Sequence, residues 1–301
     1  MARPTRSRAR AALPGTLTSA VAALTLVAAP AGAVVGGTET PVGAFPWIVQ
    51  VGTEGESSCT GSLITPSVVL TAAHCVVDDP PTTVVVGRQR SGGTGGHRVR
   101  VVRSTYDERF VRAQREEAGL VGDIGLLGLA RPVRHVPPVA LPGPGSAPLL
   151  YPGRRPIIAG WGVTNARTLE GAPGGTSLHS AALPVRSSAW CVKALEGADG
   201  SSRGVACAGR LERGPTGCYG DSGGPLFTIT PTGPVQLGVT SSITRAGCVG
   251  GSTLFIKVLP GTSGRAFIDD HLTSRGTLRV GRPPARGEAS RAIRAPITPL
   301  R

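Results

Sequence analysis

Gly220-Asp221-Ser222-Gly223-Gly224-Pro225 is the stretch on which the reading of this chain turns. A serine among glycines leaves its hydroxyl and the neighbouring amides open to close approach, and the glycines supply the turn that this exposure needs. The residue types suit a nucleophile. Two motifs lie upstream: Thr71-Ala72-Ala73-His74-Cys75, and Gly122-Asp123-Ile124-Gly125-Leu126-Leu127, in which an acid opens an apolar run. A serine hydroxyl is a weak nucleophile until a neutral imidazole takes its proton, and the imidazole needs a carboxylate to hold its tautomer. His74, Asp123 and Ser222 supply these three groups, in that order along the chain.

Taken singly, each has an ordinary structural explanation: a turn serine, a strand-edge acid, a structural histidine. Taken together, with their order and flanking residues, they resemble the trypsin and chymotrypsin family of serine proteases. His97, His135, His179 and His271 lack comparable surroundings and read as loop or surface residues. Gly220-x-Ser222-x-Gly224 also fits the nucleophile elbow of α/β-hydrolases, which places acid and base after the serine. Only Asp269, Asp270 and His271 follow in a usable combination, nearly adjacent to one another, and the alternating strands and long helices of a parallel sheet are missing from the pattern.

The chain has 301 residues, 40% of them apolar, enough for one large domain or two packed halves. Its 44 glycines and 27 prolines favour short strands joined by turns. Residues 1–33 begin with Arg3, Arg6, Arg8 and Arg10, continue through an apolar stretch and end Pro30-Ala31-Gly32-Ala33, the pattern of a secretory signal peptide. The apolar stretch is short for a span of about 30 Å, so cleavage and secretion to the extracellular space are expected, with no stable membrane anchor afterwards. Six cysteines without C-x-x-C pairs suit disulfides in an oxidising compartment rather than a metal site. Their pairing is open from sequence alone, since six cysteines allow 15 combinations.

A net charge of +14 suggests nucleic acid until it is divided along the chain. The leader carries four arginines, residues 273–301 carry seven against Glu288, and only +4 remains for the part between. With 4% aromatic residues and no stacking motif, no nucleic-acid partner is expected. Enrichment in Ala, Arg, Gly and Pro with few Lys points to a GC-rich bacterial source.

Short β-branched runs bounded by Gly or Pro read as strands: Pro46–Val51, Val68–Leu70, Thr83–Val86, Pro156–Gly162, Pro225–Ile229 and Val235–Val239, the last two as a hairpin. The expected class is all-β. The family resemblance implies two packed six-stranded antiparallel barrels with a C-terminal helix, matched here by Ser263–Leu272, over a domain 34–272. The basic Pro/Gly/Arg-rich stretch 273–301 reads as disordered, and Arg88–Gly119 reads as an enlarged surface loop.

The resemblance further implies a secreted serine endopeptidase acting through an acyl-enzyme, with an oxyanion hole from the amides of Gly220 and Ser222. Val34-Val35-Gly36-Gly37 resembles the segment whose freed N-terminus pairs with the acid before the nucleophile, here Asp221. It directly follows Ala31-Gly32-Ala33, so signal cleavage itself is expected to create the activating terminus. Thr216, Ile243 and Thr253 fall at the base and walls of the specificity pocket, an elastase-like set that favours small aliphatic residues. Ser241 is expected to hold substrate backbone and to reach Asp123, while Ser242 replaces the tryptophan usual beside it. Disulfides Cys59–Cys75, Cys191–Cys207 and Cys218–Cys248 are implied, with protein or peptide substrates, a proteinaceous inhibitor as a further partner, and no metal or organic cofactor. The competing reading is a protease-fold binding protein without useful turnover.

Overall fold

The computed structural model describes residues 34–53, 56–116, 120–163, 177–194, 204–210, 214–244, 248 and 251–279. Residues 1–33, read from sequence as a signal peptide, and the stretch 280–301 lie outside the described residues.

Six strands close the first barrel in the order β2-β3-β4-β7-β6-β5. They are β2 (Ile48–Thr53), β3 (Glu56–Thr65), β4 (Val68–Thr71), β5 (Thr83–Val86), β6 (His97–Tyr106) and β7 (Gly125–Leu129), all antiparallel. β4, β5 and β7 are buried throughout, which explains their unbroken apolar runs. Closure removes every open strand edge from this half.

The second half is a seven-stranded antiparallel sheet in the order β1-β9-β8-β11-β12-β13-β10. Its strands are β1 (Thr38–Glu39), β8 (Ile157–Gly160), β9 (His179–Ala182), β10 (Val205–Gly209), β11 (Pro225–Thr230), β12 (Gly233–Ile243) and β13 (Ser252–Lys257). The chain leaving β9 returns to β10: Val185 bridges Ala208, and the Arg186 and Gly209 amides donate to the Cys207 and Pro184 carbonyls at 2.8 and 3.0 Å. This joins the two ends of the sheet. Helix α2 (Ser188–Ala194) carries Cys191 against β10, and helix α3 (Ser263–His271) closes the fold behind the Thr262 N-cap.

Packing between the halves centres on Phe227 of β11, which sits edge-on to Phe45 and Trp47 with ring centroids 4.7 and 4.9 Å apart. The three disulfides are Cys59–Cys75, Cys191–Cys207 and Cys218–Cys248.

Three expectations are corrected. Arg88–Gly119 is not one enlarged loop, because its middle is β6, a full member of the first barrel, followed by helix α1 (Glu108–Arg115). β6 buries Val99 and leaves arginines outside, so it lacks the apolar density of its neighbours. The packed chain also runs past Leu272 to Arg279. Leu272 bridges Leu278, whose side chain is buried against the first barrel at Gly128, and the Thr65 hydroxyl donates to the Gly276 carbonyl at 2.6 Å. One large apolar residue placed over a glycine suffices to dock a segment whose composition is otherwise polar. His179 is likewise a buried strand residue, with Nδ1 2.9 Å from the Ser177 carbonyl.

Candidate active site

His74 follows β4 on a turn whose amides close on Ala73. Its neighbour Cys75 is tied to Cys59 of β3. Asp123 stands immediately before β7, the strand that pairs with β4, so two adjacent strands deliver the imidazole and the carboxylate to the same end of the barrel. Nδ1 of His74 lies 2.9 Å from Oδ2 and 3.1 Å from Oδ1 of Asp123, and the His74 amide donates to Oδ1 at 3.0 Å.

Ser241 of β12 completes the shell, its hydroxyl donating to Oδ2 of Asp123 at 2.5 Å. Asp123 is 1% exposed, and burial pushes its carboxyl upward; the His74 charge and the bonds from His74 and Ser241 outweigh this and hold it below the usual carboxylate value. For His74, burial lowers the imidazole, yet the facing carboxylate prevails and its pKa is raised. The pair therefore favours an imidazole that accepts a proton on its far nitrogen.

Ser222 is brought to this end from the second half of the fold. Its carbonyl accepts the Thr60 amide at 2.8 Å, and the Thr60 hydroxyl donates to the Gly220 carbonyl at 2.8 Å. Gly223, at φ 77°, lies so close to the strand leading into His74 that a Cβ there would stand 2.1 Å from the Thr71 hydroxyl. Only glycine passes between the two. Gly220, at φ 95°, is pressed against Gly162 in the same way.

Among the amides of residues 220–224, those of Asp221, Gly223 and Gly224 donate to the carbonyls of Cys218, Thr240 and Asp221. Those of Gly220 and Ser222 have no acceptor among the described residues. Two unspent donors thus flank the serine hydroxyl, an arrangement suited to an oxyanion.

Asp221 points away from the surface and is fully buried. Its carboxylate accepts the Gly162 and Cys218 amides, each at 2.9 Å, and no cation reaches it among the described residues. Burial pushes its carboxyl up to about 7 despite those two bonds. Val34 is also fully buried, and Val35 bridges Thr216, so the segment from Val34 is threaded through the half of the fold that carries Ser222.

Residues 34–260 match the trypsin family profile. The chain belongs to the trypsin family. Among its relatives, human Serine protease 56 is 35% identical over 219 residues, covering 70% of this chain and 34% of that protein. Phenoloxidase-activating factor 3 of Holotrichia diomphalia is 32% identical over 254 residues, covering 75% of this chain and 69% of that protein. Trypsin of Squalus acanthias is 35% identical over 199 residues, covering 64% and 79%. This trypsin-family chain thus spans about a third of the length of the first of these, 34%. All three relatives are animal proteins, so they lend no support to the bacterial origin read from composition.

The residues of this trypsin-family chain that were expected to line a specificity pocket lie together. Thr216 and Thr253 are buried and their hydroxyls meet at 3.0 Å; the Gly217 amide donates to the Thr253 hydroxyl at 2.8 Å; and Ile243 is the strand partner of Thr253.

Two contributors escaped the sequence reading. Thr60, inside Cys59-Thr60-Gly61, carries no local signal beyond its place beside a cysteine. Phe110 of α1 packs with Ala73 and Val77 and lies 6.5 Å from the His74 ring; its i, i+3 spacing to buried Ala113 behind the Asp107 N-cap was legible as a short helix. Cys59, His74 and Cys75 also lie close enough to suggest a metal cluster, but both sulfurs are spent in a disulfide. No described helix is long and apolar enough to cross a membrane.

Proposed function

We propose that the chain is a secreted serine endopeptidase in which Ser222, His74 and Asp123 form the catalytic triad. The single observation that carries this reading is the shared carboxylate: buried Asp123 receives both His74 Nδ1 and the Ser241 hydroxyl, leaving Nε2 as the base. His74 takes the Ser222 proton as Oγ attacks the peptide carbonyl, then gives it to the leaving amine; water hydrolyses the acyl-enzyme by the reverse sequence. The unspent amides of Gly220 and Ser222 hold the oxyanion.

Ile243 and the Thr216–Thr253 pair shorten the pocket and leave it uncharged, so cleavage follows small aliphatic residues such as Ala or Val. Removal of residues 1–33 frees the Val34 ammonium, which pairs with buried Asp221; this is supported by an acid held without a cation in the unprocessed chain. The remaining domain ends near Arg279, followed by a basic stretch, and its partners are protein or peptide substrates and a proteinaceous inhibitor.

The test is hydrolysis of matched peptide amides ending in Ala, Val, Phe or Arg by protein that begins at Val34, with Ser222→Ala as the blank. Cleavage after Ala or Val, abolished in the blank, is expected. Preference for Arg or Phe refutes the pocket assignment, and absence of all cleavage together with no labelling by a fluorophosphonate favours the binding-protein reading.

A further inference from the structure

The positive charge of the domain is unevenly spread. From Pro80 to Tyr106 the sequence holds five arginines and no acid, and no acid occurs between Asp123 and Glu170 either. The barrel brings these two acid-free stretches side by side. Arg98 and Arg100 alternate with buried Val99 on β6 and so share its outer face, about 7 Å apart. The Ala130 amide donates to the Arg100 carbonyl at 2.9 Å, and Arg131 reaches over to donate to the Arg98 carbonyl at 3.4 Å. Arg88, half-buried, has its pKa lowered by burial and by the charge of Arg98 beside it.

A register shift in β6 between Val101 and Arg103 turns Arg103 outward as well, and its guanidinium donates to the Arg279 carbonyl at 3.5 Å. Arg279, the last described residue, thus lies at the edge of this same wall, and the sequence after it adds five arginines against Glu288. At the far end of β6, Asp78 and Glu108 act on Tyr106. None of Arg98, Arg100, Arg103 and Arg131 has an ion-pair partner among the described residues.

Holding guanidinium groups together without acids costs electrostatic energy in the isolated protein, and a bound polyanion reverses the sign of that cost. Arginine forks match planar or tetrahedral oxyanions in pairs. Among the described residues the wall offers no pocket-bound aromatic anchor of the kind that dominates peptide docking, and of their exposed large apolar side chains only Val102 lies on it. It also projects neither helix nor ribbon to enter a nucleic-acid groove. We propose that the outer wall of the first barrel, centred on Arg98, Arg100 and Arg131, binds a sulfated polysaccharide along β6.

The experiment uses the whole chain from Val34 and reads binding, not turnover. The probes are heparin as the sulfated polysaccharide, a 20-base-pair DNA duplex and a polyglutamate peptide, each titrated over a series of salt concentrations. Heparin binding is expected to persist at about 0.15 M salt. The triple variant Arg98→Ser, Arg100→Ser, Arg131→Ser should flatten the log–log salt slope by roughly one per arginine removed and weaken binding at least about tenfold. Truncation after Arg279 should retain part of the affinity. The proposal is overturned if the triple variant, folded by circular dichroism, binds heparin as the parent does, if truncation alone removes all binding, or if the duplex or polyglutamate binds more tightly than heparin at the same salt.

Discussion

Gly162 donates its amide to Asp221 at 2.9 Å, and a Cβ on that glycine would stand 2.5 Å from the same carboxyl. Gly160 is equally confined, a Cβ there falling 2.3 Å from Oδ1. β8 and the turn after it thus form a floor on which the acid before the nucleophile rests, with no room for a methyl group. Gly162→Ala should lift Asp221 and disturb the Gly220–Ser222 amides with it. The expected result is a stability loss of about 1–3 kcal/mol, as for other overpacked sites, together with a lower kcat at little-changed KM. Denaturant midpoints and kinetics of the variant check this.

Stability of the unprocessed chain should depend on pH in an unusual direction. Asp221 has its pKa raised from 3.8 to about 7, so between these values the folded state binds a proton that the unfolded state has released. The contribution of this group is therefore present at low pH and lost as pH rises through about 7. Thermal unfolding of the full chain carrying Ser222→Ala should show it, and adding Asp221→Asn should remove this part of the slope. In protein cut at Val34 the freed ammonium should reverse the shift, and Asp221→Asn there should leave a folded but poorly active enzyme.

Turnover should fall as pH drops through the His74 transition, which lies above the ordinary imidazole value because Asp123 outweighs the effect of burial. Asp123→Asn removes the charge and fixes the wrong tautomer. A loss of kcat on the order of 10⁴-fold is expected, the size characteristic of such triads. It should come with a downward shift of the acid limb in the pH–rate profile.

Ser241→Ala should cost less, since it deletes one bond to a charged acceptor, worth about 1.5–3 kcal/mol, while all three His74 contacts to Asp123 stay. A kcat reduction on the order of tenfold is expected. The acid limb should shift less than in Asp123→Asn, as comparison of the two profiles will reveal.

Leu278→Ala should destabilise the first barrel although it lies in the basic C-terminal stretch. It is 8% exposed and packs over Gly128. A cost near 2 kcal/mol is expected, about the lower end for deleting a buried leucine, and chemical denaturation measures it.

Much of this was legible in the sequence because catalysis concentrates unusual residues in short motifs. His74, Asp123 and Ser222 were found from flanking glycines, alanines and an adjacent cysteine. Fully buried strands such as Thr83–Val86 announced themselves by their β-branched composition. β6 did not, because a strand with one wet face carries arginine where its neighbours carry valine; the signal was the period-two alternation Arg98-Val99-Arg100-Val101. Thr60 was beyond reach for another reason. Its contacts to Gly220 and Ser222 span 160 and 162 positions of chain, and nothing in a single sequence says which threonine of a barrel strand meets a loop from the other half.

That threonine also sets a rule for exchanging parts between related molecules. With its amide on the Ser222 carbonyl, its hydroxyl on the Gly220 carbonyl and its own carbonyl taking the Thr71 hydroxyl at 2.9 Å, Thr60 reads the shape of a loop encoded far downstream. The inheritance unit for a working nucleophile is therefore wider than the half that encodes it. A chimera that grafts the second half onto a foreign first barrel must bring a threonine at the matching strand position, or it will fold with its serine in place and its amides misdirected.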